Sequence, residues 1–244
     1  MNSYTGLHAR VYDELYADKP YAEEARFVHE LAGRPGGTLL DVACGTGRHA
    51  LAFAELGYDV TASDLNEELL DVARAAAGER VRFVQGDMTD LDVPGGPFDL
   101  VTCLFDSIGY AQDNDGVVSA LRSLGRHAAD RGTVVVEFLH APAIVRGADP
   151  RRERTITLAD GRDLHRVSET TLDVERMLMR VRYDLSLNGE QLSETQVNRF
   201  FSVPEMRLLA EAAGLEVRAL VPAYREGAIE LDTFHVLLVA ARRA

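Results

Sequence analysis

The sequence predicts an α/β fold in which a parallel sheet has helices on both faces and is followed by an antiparallel β insert. Between residues 39 and 139, short apolar runs alternate with segments of helical periodicity, which is the pattern of a sheet built from strand–helix units. Between about residues 154 and 201, apolar and polar residues alternate one by one, which is typical of strands with one solvated face.

The core elements follow in chain order after two N-terminal helices, which are expected to act as a lid. Core strands are predicted at residues 39–42, 58–63, 81–87, 98–105 and 133–139, and helices at 49–56, 67–77 and 115–128.

The insert comes next, and the rest of the core follows it. Asp160-Gly161 and Asn188-Gly189 are strong hairpin signals, so the insert is expected to hold three or four strands. Helical spacing returns at residues 204–213, and strands at 216–224 and 233–241 would add a reversed hairpin to the edge of the sheet. The chain is therefore divided into a lid (1–33), a core (34–145 and 202–244) and an insert (146–201).

Composition limits the function. With 244 residues, 27% charged and 46% hydrophobic, the chain suits one large α/β domain with an elaboration. No apolar run approaches the roughly 18 residues of a membrane span, and no signal region begins the chain, so we expect a cytoplasmic protein without a membrane partner. A net charge of −13 opposes nucleic-acid binding. The histidines and the two cysteines lack metal-ligand spacing, so no metal site is expected.

A glycine loop follows the first core strand. Gly45 and Gly47 allow a tight turn and remove side chains that would keep a ligand from the backbone. The next helix directs its free N–H groups into the same space. This arrangement suits a nucleotide-like ligand, and the loop alone leaves a nicotinamide-dependent oxidoreductase open as a candidate.

Acidic residues at later strand ends narrow the choice of ligand. Asp64 ends the second strand, where an acid accepts hydrogen bonds from the hydroxyls of an adenosine ribose. Asp87 ends the third strand, and the fourth apolar strand ends at Phe105.

The loop sequence D-V-A-C-G-T-G resembles the first motif of the class I S-adenosylmethionine-dependent methyltransferases. The resemblance implies a Rossmann-like class I methyltransferase sheet, S-adenosyl-L-methionine as cofactor and S-adenosyl-L-homocysteine as product. It also implies that Asp41 lies near the methionine part, Asp87 near the adenine amino group, and the end of the fourth strand near the methyl group. The residues predicted to bind the cofactor are Tyr12, Tyr21, Asp41, Ala43, Gly45, Thr46, Gly47, Asp64, Leu65, Asp87, Met88, Leu104 and Phe105.

A narrower resemblance covers nearly the whole chain. Residues 4–13 resemble the Tyr-x-Gly-x-x-Ala-x-x-Tyr-Asp segment of the sugar N-methyltransferases of antibiotic biosynthesis, and residues 101–110, 166–168 and 212–215 resemble other segments of that group. The group dimethylates amino groups of nucleotide-linked deoxysugars. The resemblance implies that Tyr12 helps to bind the methionine end of the cofactor and that Tyr4 closes over the acceptor. Tyr110 stands where the group usually has a histidine, and the chain has no tryptophan.

Methyl transfer from a sulfonium is an in-line displacement that depends mainly on positioning. An amine acceptor needs only to arrive neutral, whereas a hydroxyl needs a base during attack. The predicted catalytic residues are Tyr4, Tyr110, His140 and Asp106, with Asp106 as a partner for an ammonium substrate. The predicted partner is a small-molecule acceptor, and a homodimer is possible.

Several alternatives stay open. One is a small-molecule O-methyltransferase with His140 or His8 as base, and another is a protein that binds the cofactor without catalysis. Arg151, Arg152 and Arg154 are either a solvated basic run or a clamp for the phosphates of a nucleotide-linked acceptor.

Overall fold

The computed structural model describes residues 4–33 and 35–243 of the chain. The helices are α1 (Leu7–Leu15), α2 (Tyr21–Ala32), α3 (Arg48–Glu55), α4 (Glu67–Ala77), α5 (Asn114–His127), α6 (Ala141–Gly147) and α7 (Val203–Ala212). The strands are β1 (Gly37–Val42), β2 (Tyr58–Asp64), β3 (Val81–Gln85), β4 (Phe98–Cys103), β5 (Ala128–Leu139), β6 (Arg151–Thr157), β7 (Asp163–Asp173), β8 (Leu178–Leu187), β9 (Glu190–Arg199), β10 (Leu215–Pro222) and β11 (His235–Arg242). Residues 1–3 of the predicted lid and residues 34 and 244 of the predicted core lie outside the described residues. The division into lid, core and insert stays a prediction.

The core is a seven-stranded sheet with the order β10-β11-β5-β4-β1-β2-β3. Strands β1 to β5 pair in parallel, whereas β11 runs antiparallel to both β5 and β10, so the reversed hairpin is confirmed. One buried apolar cluster includes Leu121 of α5 and Met206 of α7, and another includes Val28 of α2 and Phe53 of α3. The predicted α/β fold with helices on both faces is therefore confirmed.

Strands β6 to β9 form a separate antiparallel sheet after the fifth core strand, as predicted. Asn188 and Gly189 both have positive φ angles (49° and 86°), which a two-residue hairpin turn requires. The insert has four strands and begins at Arg151, earlier than the alternation predicts. The reason is that β6 is an edge strand with almost every residue exposed, so no buried face marks its start.

Several element bounds differ from the prediction. Strands β3 and β4 end at Gln85 and Cys103, two residues earlier than predicted, so Asp87 and Phe105 lie just after them. Strand β5 begins at Ala128, where the helix α5 was expected to end. A short helix, α6, follows β5, where no helix is predicted. Pro142 lies in its first turn, where the missing N–H of proline has no helical partner to lose.

Helix α1 packs against the insert. Its Leu7 and Val11 share a buried apolar cluster with Leu164, Leu185 and Leu187 of the insert sheet. This packing leaves a space bounded by α1, the insert and the carboxyl ends of the core strands. No helix within the described ranges is long and apolar enough to cross a membrane.

Candidate active site

A cavity of about 290 Å³ lies at the carboxyl ends of β1, β2 and β4, beneath α1 and against β8 and β9. Ligands bind at this edge of open parallel sheets. The predicted site residues that line the cavity are Tyr4, Tyr12, Tyr21, Asp41, Ala43, Gly45, Thr46, Asp64, Leu65, Asp87, Met88, Leu104, Phe105, Asp106 and Tyr110. Two other predicted residues, Gly47 and His140, do not line it.

The two glycines of the loop have different roles. Gly45 has a φ angle of +56°. Among the described residues other than its chain neighbours, a Cβ at this position would lie within 4 Å of one atom, the Tyr12 hydroxyl oxygen at 3.9 Å, so the position opens into the cavity. A Cβ at Gly47 would lie 2.9 Å from the Phe83 ring and 3.2 Å from Ala73 Cβ. Gly47 therefore allows α3 to pack closely against its neighbours, and its contact with the cofactor stays a prediction.

Asp64 holds the glycine loop in place. Its Oδ2 accepts a hydrogen bond from the Gly45 N–H at 2.7 Å, and its Oδ1 accepts one from the Asn66 N–H at 2.8 Å. Burial raises the pKa of this carboxyl, although the backbone hydrogen bonds act in the opposite direction. A carboxylate has about four acceptor positions, so acceptor capacity remains on the cavity side.

Asp41 is buried with one oxygen unsatisfied. Its Oδ1 accepts a hydrogen bond from the Thr102 hydroxyl at 2.7 Å, and its Oδ2 has no hydrogen-bond partner among the described residues. Burial raises the pKa of the carboxyl to about 6, against the opposing effects of His49 and Thr102. Buried polar atoms are nearly always paired, so an unpaired oxygen in a cavity wall indicates a ligand group that donates to it.

The N-terminal helices are tied to the loop by polar contacts. The Thr46 hydroxyl donates to Asp13 at 2.6 Å. Glu24 accepts from Lys19 at 2.6 Å and lies 2.7 Å from His49 Nε2. These contacts fix α1 and α2 over the cavity.

The other end of the cavity is lined by tyrosines and by the insert. Val181 of β8 pairs with Gln196 of β9, and Met179 pairs with Asn198, so these side chains share the face that lines the cavity. The Tyr4 and Tyr110 hydroxyls lie 2.9 Å apart. Burial raises the pKa of both well above the usual value for tyrosine, so both stay protonated near neutral pH.

The comparisons with known proteins agree with this geometry. A family described as a methyltransferase domain matches residues 39–132. The chain is 32% identical over 221 residues to a dTDP-3-amino-3,4,6-trideoxy-alpha-D-glucopyranose N,N-dimethyltransferase of Streptomyces venezuelae, with 87% of this chain and 92% of that protein covered. The chain belongs to the S-adenosylmethionine-dependent methyltransferases.

Solved structures are similar to this methyltransferase over its whole length. DesVI of Streptomyces venezuelae matches with a TM-score of 0.79 and 29% identity, covering 98% of this chain and 100% of that one. CalS10, an amino pentose methyltransferase from Micromonospora echinaspora described with S-adenosylmethionine bound, matches with a TM-score of 0.76 and 27% identity, covering 99% of both chains. The predicted enzyme class and cofactor are confirmed, and the oxidoreductase alternative is wrong.

The residues present in the cavity fit S-adenosylmethionine. The unpartnered Oδ2 of Asp41 can accept a hydrogen bond from the cofactor's ammonium group, and Gly45 leaves room for close approach to the backbone. The acids at this end suit a cation that also carries ribose hydroxyls and an adenine amino group.

The environment of Asp106 differs from the prediction. His235 Nδ1 lies 3.0 Å from Asp106 Oδ2 and 3.2 Å from Glu137 Oε1. Burial alone would lower the pKa of His235, but the two carboxylates raise it to about 11. Burial alone would raise the pKa of Glu137, but His235 lowers it to about 2. Asp106 thus already has an imidazolium partner, so an ammonium substrate would share this carboxylate rather than find it unpaired.

Glu137 also fixes the end of the fourth strand. Its Oε2 accepts hydrogen bonds from the Phe105 N–H at 2.7 Å and from the Tyr224 hydroxyl at 2.5 Å. Together with Asp106 and His235 it forms a group that is close enough to hold a metal ion, but the same atoms are already joined through the imidazolium. Glu137 is not among the residues predicted from the sequence, although a single acid within the apolar run at the end of β5 was a usable signal.

His140 does not face the cavity. Its Nδ1 donates to the Thr233 carbonyl at 2.9 Å, and the residue lines a separate surface depression with Pro142 and Arg146. The prediction of His140 as a base in the cavity is therefore wrong. His8 is buried and lies 2.7 Å from Glu194, but it does not line the cavity either.

Proposed function

We propose that this methyltransferase transfers a methyl group to the nitrogen of a small amine that belongs to an anionic molecule, such as a nucleotide-linked amino sugar. The observation that carries the proposal is the chemistry of the acceptor end. Tyr4 and Tyr110 keep their protons because burial raises their pKa values, so neither can take a proton from a hydroxyl. An amine needs no base during attack, whereas a hydroxyl does. The name of the Streptomyces venezuelae relative supports the same substrate class.

The cofactor is held, in this proposal, by groups at the strand ends. Asp41 receives the ammonium group, Asp64 the ribose hydroxyls and Asp87 the adenine amino group, while Gly45 permits close approach and Tyr12 covers the methionine end. When bound, S-adenosylmethionine supplies an electrophilic methyl group on a sulfonium sulfur. The contribution of the protein is to align the nucleophile with that methyl group, which is a positioning effect.

The acceptor nitrogen is held by Tyr4 and Tyr110, whose hydroxyls meet at the other end of the cavity. The amine must arrive neutral, because only the neutral form has a lone pair for attack. After transfer the nitrogen keeps its protons and carries a positive charge, and it loses one proton to become neutral again. Asp106 is the carboxylate that lines this end, and it is the group that we assign to stabilise the new ammonium.

Arginines on the cavity side of the insert support an anionic acceptor. Residues that pair directly across neighbouring strands share a face. Arg152 pairs with Ser168, which pairs with Tyr183 of the cavity wall, and Arg154 pairs with Arg166 on the same face. The Arg166 guanidinium lies 5.5 Å from the centroid of the Tyr183 ring.

Arg151, in contrast, is bound on the opposite face by Glu153 and Glu169. The three arginines share the face of the insert that carries Tyr183 of the cavity wall, although Arg152 also lies 3.6 Å from an oxygen of Asp149. Guanidinium groups bind phosphates through paired hydrogen bonds, so this face suits a diphosphate. Of the basic run at residues 151–154, only Arg152 and Arg154 fit the clamp that the sequence suggests.

An acceptor screen tests the proposal. The purified enzyme is incubated with S-adenosylmethionine and, in separate reactions, simple amines, phenols, the dTDP-linked amino sugar named for the relative, and the matching dTDP-linked sugar with a hydroxyl in place of the amine. Release of S-adenosylhomocysteine and the mass of the product are measured. We expect methylation of the nucleotide-linked amine and none of the hydroxyl counterpart. Turnover of a phenol or sugar hydroxyl alone would overturn the proposal.

A second candidate, O-methyl transfer, is favoured by one observation. His8 is fully buried, its Nδ1 lies 2.7 Å from Glu194, and its Nε2 has no hydrogen-bond partner among the described residues. A histidine oriented by a carboxylate is a common general base. Because Tyr4 and Tyr183 pack against its ring, His8 could reach a hydroxyl only if Tyr4 moved. The hydroxyl reactions of the same screen test this candidate.

A further inference from the structure

Glu194 of β9 lies behind the acceptor end and is the anchor of a hydrogen-bond chain. Its Oε1 lies 2.7 Å from His8 Nδ1 and accepts a hydrogen bond from Gln196 Nε2 at 2.9 Å. Burial alone would raise the pKa of Glu194, but these hydrogen bonds lower it, so the side chain is a carboxylate near neutral pH. The Gln196 Oε1 atom lies 3.5 Å from the Tyr110 hydroxyl oxygen, and the Tyr110 and Tyr4 hydroxyl oxygens lie 2.9 Å apart.

The charge at one end fixes the direction of every bond in this chain. A carboxylate can only accept hydrogen bonds, so the amide nitrogen of Gln196 must face Glu194 and its oxygen must face Tyr110. An amide oxygen can only accept as well, so Tyr110 donates its single hydroxyl proton to Gln196. The Tyr4 hydroxyl must then donate to the Tyr110 oxygen.

We propose that Glu194 is a positioning residue that makes Tyr4 present an oxygen lone pair, and not a proton, to the acceptor. The inference rests on the proposed amine function. A lone pair at Tyr4 receives an N–H of the acceptor and leaves the nitrogen lone pair free for attack. A proton at Tyr4 would instead bind the nitrogen lone pair and block the reaction.

The direction of these hydrogen bonds also limits how many methyl groups the enzyme transfers to one nitrogen. Neutral primary and secondary amines are nucleophilic and carry an N–H for Tyr4. A neutral tertiary amine has no N–H, so its nucleophilic form is not held. We therefore expect one or two methyl transfers to a primary amine and no formation of a quaternary ammonium.

The first experiment examines the hydrogen bonds of the Tyr4 and Tyr110 hydroxyls directly, without an acceptor. Protein labelled with carbon-13 at tyrosine Cζ and saturated with S-adenosylhomocysteine is studied by NMR, and the Tyr4 and Tyr110 signals are assigned from the Tyr4→Phe and Tyr110→Phe variants. Glu194→Gln should shift or split both signals, because glutamine no longer fixes the direction of Gln196. The matched control is Glu190→Gln on the same strand, which removes an exposed ion pair with Arg10 of α1 and should leave both signals unchanged. Unchanged signals in a folded Glu194→Gln variant overturn the inference.

The second experiment is a double-mutant cycle on the amine identified by the acceptor screen. Glu194→Gln and Tyr4→Phe should each lower turnover on the order of tenfold, with unchanged S-adenosylhomocysteine affinity. If Glu194 acts through the Tyr4 hydroxyl, the double variant should be no slower than Tyr4→Phe alone. Losses that simply multiply would show a structural role and overturn the inference. Failure to find any amine acceptor would refute the proposed function, while the NMR result would still decide the direction of the chain.

Discussion

Replacing Asp41 with asparagine separates the role of this residue in binding from its effect on stability. The carboxyl is buried, and burial raises its pKa from the usual 3.8 to about 6 in the folded protein. A shift of about 2 units corresponds to about 3 kcal/mol, because each unit is 1.36 kcal/mol. The folded state binds the proton more tightly than the unfolded state. The protonated carboxyl of Asp41 therefore contributes its full stabilisation of the folded state below about pH 4, and this contribution is lost as the pH rises to about 6.

Asp41→Asn removes the buried charge and keeps the shape of the side chain. Without ligand, we expect the variant to gain stability relative to the wild type as the pH increases, with about half of the 3 kcal/mol difference developing between pH 5 and 8. In the same variant, S-adenosylmethionine should bind roughly 10- to 100-fold more weakly, because a charge-assisted hydrogen bond contributes about 1.5–3 kcal/mol. Thermal unfolding across this pH range and calorimetry measure the two effects. An unchanged affinity for S-adenosylmethionine would show that Asp41 does not bind the cofactor. A difference in stability between variant and wild type that does not vary with pH would contradict the raised pKa of the buried Asp41 carboxyl.

Three further predictions concern the loop and the lid. Gly45→Val should abolish cofactor binding in calorimetry, because the side chain enters the cavity, and should also lower the melting temperature, because a branched residue is strained at a φ of +56°; normal binding by the folded variant would contradict the role of Gly45. Gly47→Ala should instead lower the melting temperature, by a few degrees or more, through its clash with Phe83; an unchanged melting temperature would contradict the packing role. Tyr4→Phe should lower turnover with little effect on cofactor affinity, whereas Tyr12→Ala should weaken cofactor binding, and the reverse pattern would refute both assignments.

The end of the cavity at Asp41, Gly45 and Asp64 could be predicted because its signals are local. Asp41 is the last residue but one of β1, Gly45 follows that strand and Asp64 ends β2, and parallel strands bring their carboxyl ends to one edge of the sheet. A glycine needed for ligand approach and one needed for packing give the same sequence signal, so the sequence could not show that Gly47 packs against Phe83 and does not line the cavity. Only the position of Phe83 distinguishes them.

The acceptor end depends on contacts between distant segments. Leu139 lines the cavity, and because side chains alternate along a strand, the next residue, His140, faces away from it. Strand-end position alone could not show this. Tyr183 and Gln196 reach the site only through the pairing of the insert strands and the docking of the insert on α1. Sequence alternation indicates such strands but not which face meets the cavity.

The position of Lys19 gives this chain a chemical reporter for the opening of its N-terminal helices. It is the only lysine among 244 residues, its side chain is 14% exposed, and its ammonium lies 4.3 Å from the centroid of the Phe105 ring while bonded to Glu24. A reagent that acylates amines therefore has one side-chain target, and we expect it to react faster when the contacts of Lys19 with Glu24 and Phe105 are broken. The rate at which one mass increment appears on the peptide that contains Lys19 would follow the breaking of these contacts, and saturating S-adenosylhomocysteine should slow it if the two helices close over the bound molecule.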